Sequence, residues 1–66
     1  MAAQEILLEA FKQYGIQVLS VTGNHIKVQN NYEVEVEANG MYKLLDEGDI
    51  IAPFKDVNEL CRYIVA

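Results

Sequence analysis

From Tyr32 to Ala38 the chain alternates apolar and acidic residues without interruption: Tyr-Glu-Val-Glu-Val-Glu-Ala. Successive side chains of a β-strand point to opposite faces. Tyr32, Val34, Val36 and Ala38 therefore line one side, and Glu33, Glu35 and Glu37 the other. Such a strand needs a hydrophobic layer beneath it and water, or a polar partner, above it. The remaining elements can be read from that requirement.

Upstream, Ala3, Ile6, Leu7, Ala10, Phe11 and Tyr14 recur at i, i+3, i+4 spacing, with Glu5, Glu9, Lys12 and Gln13 on the opposite face. This predicts an amphipathic helix over 3–14. Gly15 can end it in the left-handed conformation, and Ile16 then falls where a Schellman cap packs against Phe11. Leu8 is off the stripe. Residues 17–22 read as a strand with Leu19 and Val21 inward, followed by a two-residue Gly23-Asn24 hairpin turn. The next strand, 25–29, has Ile26 and Val28 inward. This turn pairs Val21 with Ile26, Leu19 with Val28, Ser20 with Lys27 and Thr22 with His25.

A two-residue turn at Asn30-Asn31 would set Val28 opposite Glu33 and push the acidic side into the core, because a one-residue slip exchanges the faces of a strand. A three-residue loop with Asn31 in the left-handed region avoids this. It sets Ile26 against Val34, Lys27 against Glu33 and His25 against Glu35. Asn39-Gly40 then turns into a fourth strand over 41–45, with two registers open. A plain I′ turn places Met41, Lys43 and Leu45 on the core side and Tyr42 and Leu44 with the glutamates. A bulge reverses this, burying Tyr42 and Leu44 and setting Lys43 beside Glu37.

Asp46 to Asp49 make a polar turn, and Ile50-Ile51-Ala52 a short edge strand closed by Pro53, which has no N–H for a ladder. Asp56 with Glu59 three residues on is a capping-box variant. Val57, Leu60, Cys61 and Ile64 form an apolar stripe behind it, and Phe54 is placed to staple the helix start. The expected fold is α+β, in the order α-β-β-β-β-β-α. It is a single domain over 1–66, an antiparallel meander with the N- and C-terminal helices packed on one face.

Composition narrows the function classes. A chain of 66 residues has a small core for its surface, which raises the weight of oligomerisation. One cysteine excludes an internal disulfide, and no zinc-type Cys/His spacing occurs. The net charge of −5, with scattered basic residues, argues against nucleic-acid and anionic-membrane partners. The absence of a signal-type apolar segment and of a membrane-length run points to the cytoplasm.

Candidate chemistry is sparse. Same-face strand residues are about 6.7 Å apart, so the three glutamates cannot close on one cation without other elements. His25 with Glu35 falls short of a zinc ligand set, and no oxyanion hole or nucleophile elbow accompanies Ser20 or Thr22. Cys61 lies on an apolar helix face, where a thiol packs as a small hydrophobe. No cofactor, metal site or catalytic residue is expected.

The expectation is therefore a non-catalytic domain that works by protein contact, with a second copy of the chain among the candidate partners. Its candidate interface comprises His25, Lys27, Glu33, Glu35, Glu37, Tyr42 and Leu44 on the open sheet face, or an edge strand. The alternative is a ligand- or metal-responsive accessory protein using His25 and Glu35. The sequence does not identify the partner.

Overall fold

A computed structural model describes residues 3–66. The elements run α1 (Ala3–Tyr14), β1 (Val18–Thr22), β2 (His25–Val28), a 3-10 turn (Gln29–Asn31), β3 (Tyr32–Val36), β4 (Tyr42–Asp46), β5 (Asp49–Phe54) and α2 (Val57–Val65). The strands form one antiparallel sheet in the order β1-β2-β3-β4-β5, with both helices on one face. The expected α+β meander is the observed fold.

Helix α1 stops as its sequence requires. Gly15 takes φ 72°, its N–H bonds to the Lys12 carbonyl at 3.2 Å, and the Ile16 N–H bonds to the Phe11 carbonyl at 2.8 Å. These are the two bonds of a Schellman cap, and Ile16 and Phe11 are both buried behind it. At α2, the Asp56 carboxylate accepts from the Asn58 N–H at 2.8 Å, satisfying one of the free donors of the first turn. Leu60, Cys61 and Ile64 then enter the core.

The apolar side of β3 is the floor of that core. Val34 and Val36 are buried, with Ile26 and Val28 beside them on β2 and Tyr42 and Leu44 on β4. Leu7, Ala10 and Phe11 of α1 cover them together with the α2 stripe. Tyr63 extends the layer, edge-on to Tyr32 at 6.1 Å between ring centroids and tilted against Phe54 at 5.9 Å.

Two loops set the registers. Asn30 and Asn31 both adopt positive φ, 65° and 66°, and the loop they close pairs Ile26 with Val34, Lys27 with Glu33 and His25 with Glu35. Across the other side of β3, the Glu37 N–H bonds to the Met41 carbonyl at 2.9 Å and the Gly40 N–H to the Glu37 carbonyl at 3.1 Å. With Gly40 at φ 85°, this is a three-residue loop of the bulged kind. It selects the second of the two registers: Val34 pairs with Leu44, Glu35 with Lys43 and Val36 with Tyr42.

Three expectations need correction. Tyr42 and Leu44 are core residues, 5% and 0% exposed, so they leave the candidate interface. The unbulged register would have buried the Lys43 ammonium, a cost far larger than that of a turn. Leu19 does not pair with Val28. A bulge at Leu19 shifts the register so that Val18 takes that place. Leu19 is 59% exposed, and Val21, on the core side opposite Ile26, is left 48% exposed. Pro53 does not close β5, which continues to Phe54. At a sheet edge the missing N–H can face solvent, so the ladder loses nothing.

The register predicts unequal effects from two adjacent leucines. Leu44→Ala should cost about 2–5 kcal/mol through loss of buried methyl groups and the cavity left behind, whereas Leu45→Ala on the open face should cost under about 1 kcal/mol. Urea unfolding of both variants measures the difference, and the reverse order would restore the unbulged register.

Candidate functional site

Directly opposite residues on adjacent strands share a face, so the pairings define the open side row by row. Thr22, His25, Glu35 and Lys43 form one row; Ser20, Lys27, Glu33, Leu45 and Ile50 form the next. Of the sequence-derived candidates, His25, Lys27, Glu33 and Glu35 are brought together on this face. Glu37 joins it through Lys43, whose Nζ lies 3.3 Å from Glu37 Oε1. Lys43 stands there as the bulged of the two open registers had it, with Leu45 beside it; Ile50 was not expected there. The bulged loop before β4 brings in the first two. A second bulge sets Ile50 opposite Leu45, with Ile51 as the extra residue.

Two depressions open on this face. Leu19 on β1 and Glu47 and Gly48 beyond β4 line one depression together with Lys27, Asn31 and Glu33. Ser20, Thr22 and His25 line an adjoining one. Bulges increase the local right-handed twist of a sheet, and those at Leu19 and Ile51 curl both margins. Both depressions are open to solvent.

Electrostatically, the acidic ladder is compensated. His25 Nδ1 lies 2.5 Å from Glu33 Oε2, and Nε2 lies 3.8 Å from Glu35 Oε1. The diagonal carboxylate is thus the closer partner, not the one directly across. An ionised carboxylate has only acceptors, so the proton on Nδ1 is donated to Glu33. Glu35 is flanked in its row by His25 and Lys43. These pairs are partly exposed, and each contributes about 0–1 kcal/mol. Their main effect is to let an acidic strand lie in the middle of a sheet.

Both ring nitrogens of His25 face carboxylates, and neither is directed at the Ser20 or Thr22 hydroxyl as a base would be. Among the described residues, no three His, Cys, Asp or Glu side chains are grouped to hold a metal ion, and no buried side-chain polar atom lacks a hydrogen-bond partner. Cys61 is fully buried, and burial pushes its thiol up to about 11. It belongs to the core rather than to a reactive site.

The exposed apolar residues are the feature that sequence reasoning missed. On β1, Val18, Leu19 and Val21 are 36%, 59% and 48% exposed, and on β5, Ile50 and Ile51 are 60% and 41% exposed. The apolar character of β1 was legible, but it was assigned to the core. Comparison with protein-family models, curated proteins and solved structures returned no match. Among the described residues, no helix is long and apolar enough to cross a membrane.

The state of Cys61 makes a pH-dependent prediction. The thiol is raised from 9.0 to about 11 in the fold, so folding favours its neutral form. That contribution is complete below about pH 9 and is lost as pH rises through about 11. Chemical unfolding from pH 8 to 11 should show a fall in stability that is smaller in Cys61→Ala. A thiol reagent at pH 8 should label the native protein far more slowly than the unfolded chain. Equal labelling rates would place the thiol outside the core.

Proposed function

We propose that this chain is a small non-catalytic domain of the cytoplasm that works by binding another protein through its open sheet face and exposed sheet edges. One observation carries the reading: large apolar side chains stand exposed along β1 while the core beneath the helices is complete without them. An edge strand offers unpaired N–H and C=O groups, and an apolar edge favours pairing with another chain. The net charge of −5 disfavours nucleic acid and anionic lipid as partners. The open face, with its acidic side chains already partnered, gives little enclosure for a substrate. A buried free thiol suits a reducing compartment. A second copy of the chain is among the candidate partners.

A second reading, a ligand-responsive accessory protein using His25 and Glu35, is favoured by the depression that His25, Lys27 and Glu33 line. It is the weaker one, because that depression is open and the carboxylates occupy the imidazole.

Affinity capture from the cell of origin, comparing the wild type with Leu19→Lys/Ile50→Lys, tests the contact surface. Both side chains are largely exposed, so the unfolding curves should agree within about 1 kcal/mol. A partner held by the wild type, cross-linked through Lys27 or Lys43 and lost from the variant, is the expected result. Identical capture by both proteins would remove this surface from the reading.

A further inference from the structure

We propose that β1 is a self-association edge: two copies pair their β1 strands antiparallel about a two-fold axis at Val21 and so join their sheets into one. The inference rests on the protein-contact reading above and names the partner and the strand.

The two edges of the sheet are built differently. β5 carries Asp49 at its start and Pro53 near its end, and charge and proline are the usual protections of an edge. β1, Val-Leu-Ser-Val-Thr, carries neither, and every one of its residues is exposed. It does contain the bulge at Leu19, which confines regular pairing to the segment from Ser20 towards the turn.

Within that segment the backbone groups are set for a partner. Gly23, at φ 59°, opens the two-residue turn closed by Thr22 and His25. Bonded and non-bonded pairs alternate along an antiparallel ladder, so with the Thr22–His25 pair bonded, Val21 opposite Ile26 directs its N–H and C=O away from β2. A two-fold axis at Val21 lets these groups bond reciprocally with their equivalents in the second copy. The pairing is isologous, and it closes at two subunits.

The apolar area extends onto the helical side. Val18 and Val21 pair with the core residues Val28 and Ile26 and so lie on the helix-bearing face. The Gln4 side chain donates to the Gly23 carbonyl at 3.1 Å, bringing that flank of α1 to the end of β1. Leu8 follows Gln4 one turn on and is itself only partly buried. Val18, Val21 and Leu8 thus form an apolar strip beside the free edge.

Charge selects a second copy as the occupant. Two molecules of net charge −5 repel, and least where the surfaces that meet carry no acid. The stretch from Gln13 to Ile26 has no Asp, Glu, Lys or Arg, and it is the longest such stretch in the chain. It contains the whole of β1. A basic or acidic partner would find no counter-charge there, whereas an identical neutral strand brings no like charge into the contact and leaves only the long-range repulsion between the two molecules.

Strand pairing with an apolar strip falls at the small end of specific interfaces, so the dimer should be weak, with a dissociation constant on the order of 10 μM. Salt gives a sign test. Screening reduces the repulsion between acidic copies, so association should tighten between about 50 mM and about 500 mM NaCl, opposite to an interface held by ion pairs.

Sedimentation equilibrium from about 1 μM to about 1 mM protein reads the outcome on the wild type, Val21→Lys, Val21→Pro and Val65→Lys, the last an exposed position on α2. Val21→Pro removes only an outward N–H, which edge strands tolerate, and Val21→Lys guards against its failing to fold. A monomer–dimer equilibrium is expected that tightens with salt. It should weaken at least tenfold in both Val21 variants and remain unchanged in Val65→Lys. A strict monomer throughout the range would overturn the proposal, as would loss of association in Val65→Lys alone or growth into open-ended species. A strict monomer that still captures a partner sensitive to Leu19→Lys/Ile50→Lys would sink self-pairing and leave the contact reading standing.

Discussion

The structure depends on keeping the two sides of β3 apart. Val34 and Val36 must be covered, while Glu33 and Glu35 must stay in contact with water or a counter-charge, and these residues alternate along one strand. A slip of a single residue in the pairing on either side would exchange them. The chain meets the constraint with a three-residue loop on each side: Asn30 and Asn31 at positive φ before β3, and Gly40 at positive φ after it. With these in place, Ile26 and Leu44 flank Val34 on the buried side. The helices then have a continuous apolar floor.

The opposite face follows from the same registers. Placing Val34 between Ile26 and Leu44 places Glu33 between Lys27 and Leu45, and Glu35 between His25 and Lys43. The carboxylates thereby gain cationic or titratable neighbours without any further adjustment. The charged ladder is a consequence of packing on the other side of the strand. It lets an acidic strand occupy the centre of a sheet at little cost in repulsion, which at these separations is about 0.6 kcal/mol per neighbouring pair even before screening.

The helical layer leaves β1 outside its cover. The helices pack on each other, and α2 lies on β4 and β5, so burial is complete from β2 to β4 and thins towards the first strand. A chain of this size has few residues with which to extend the cover. The result is an asymmetric sheet, with one edge blunted by charge and proline and the other apolar and interrupted only by the bulge at Leu19. The functional reading grows out of that asymmetry, since the acidic residues that first draw attention in the sequence are already partnered within the fold.

Local physical chemistry was enough to read both helices with their caps, the five-strand meander and the β2–β3 register. Helical spacing, the Gly15 stop, the Asp56 cap and strict alternation each act within a few residues. The sequence also contained the information to place β4, because only the bulged register keeps the Lys43 ammonium out of the core. The fate of β1 was different. Leu19 and Val21 carry the same pattern as buried strand residues, and alternation assigns a side chain to a face without saying whether anything covers that face. Cover depends on where the helices come to rest and on the bulge at Leu19, and both are settled by packing between segments distant in the chain. The sequence by itself determined which residues share a side. Only the tertiary structure decided which of those sides is closed, because burial belongs to the assembled layers and not to any one strand.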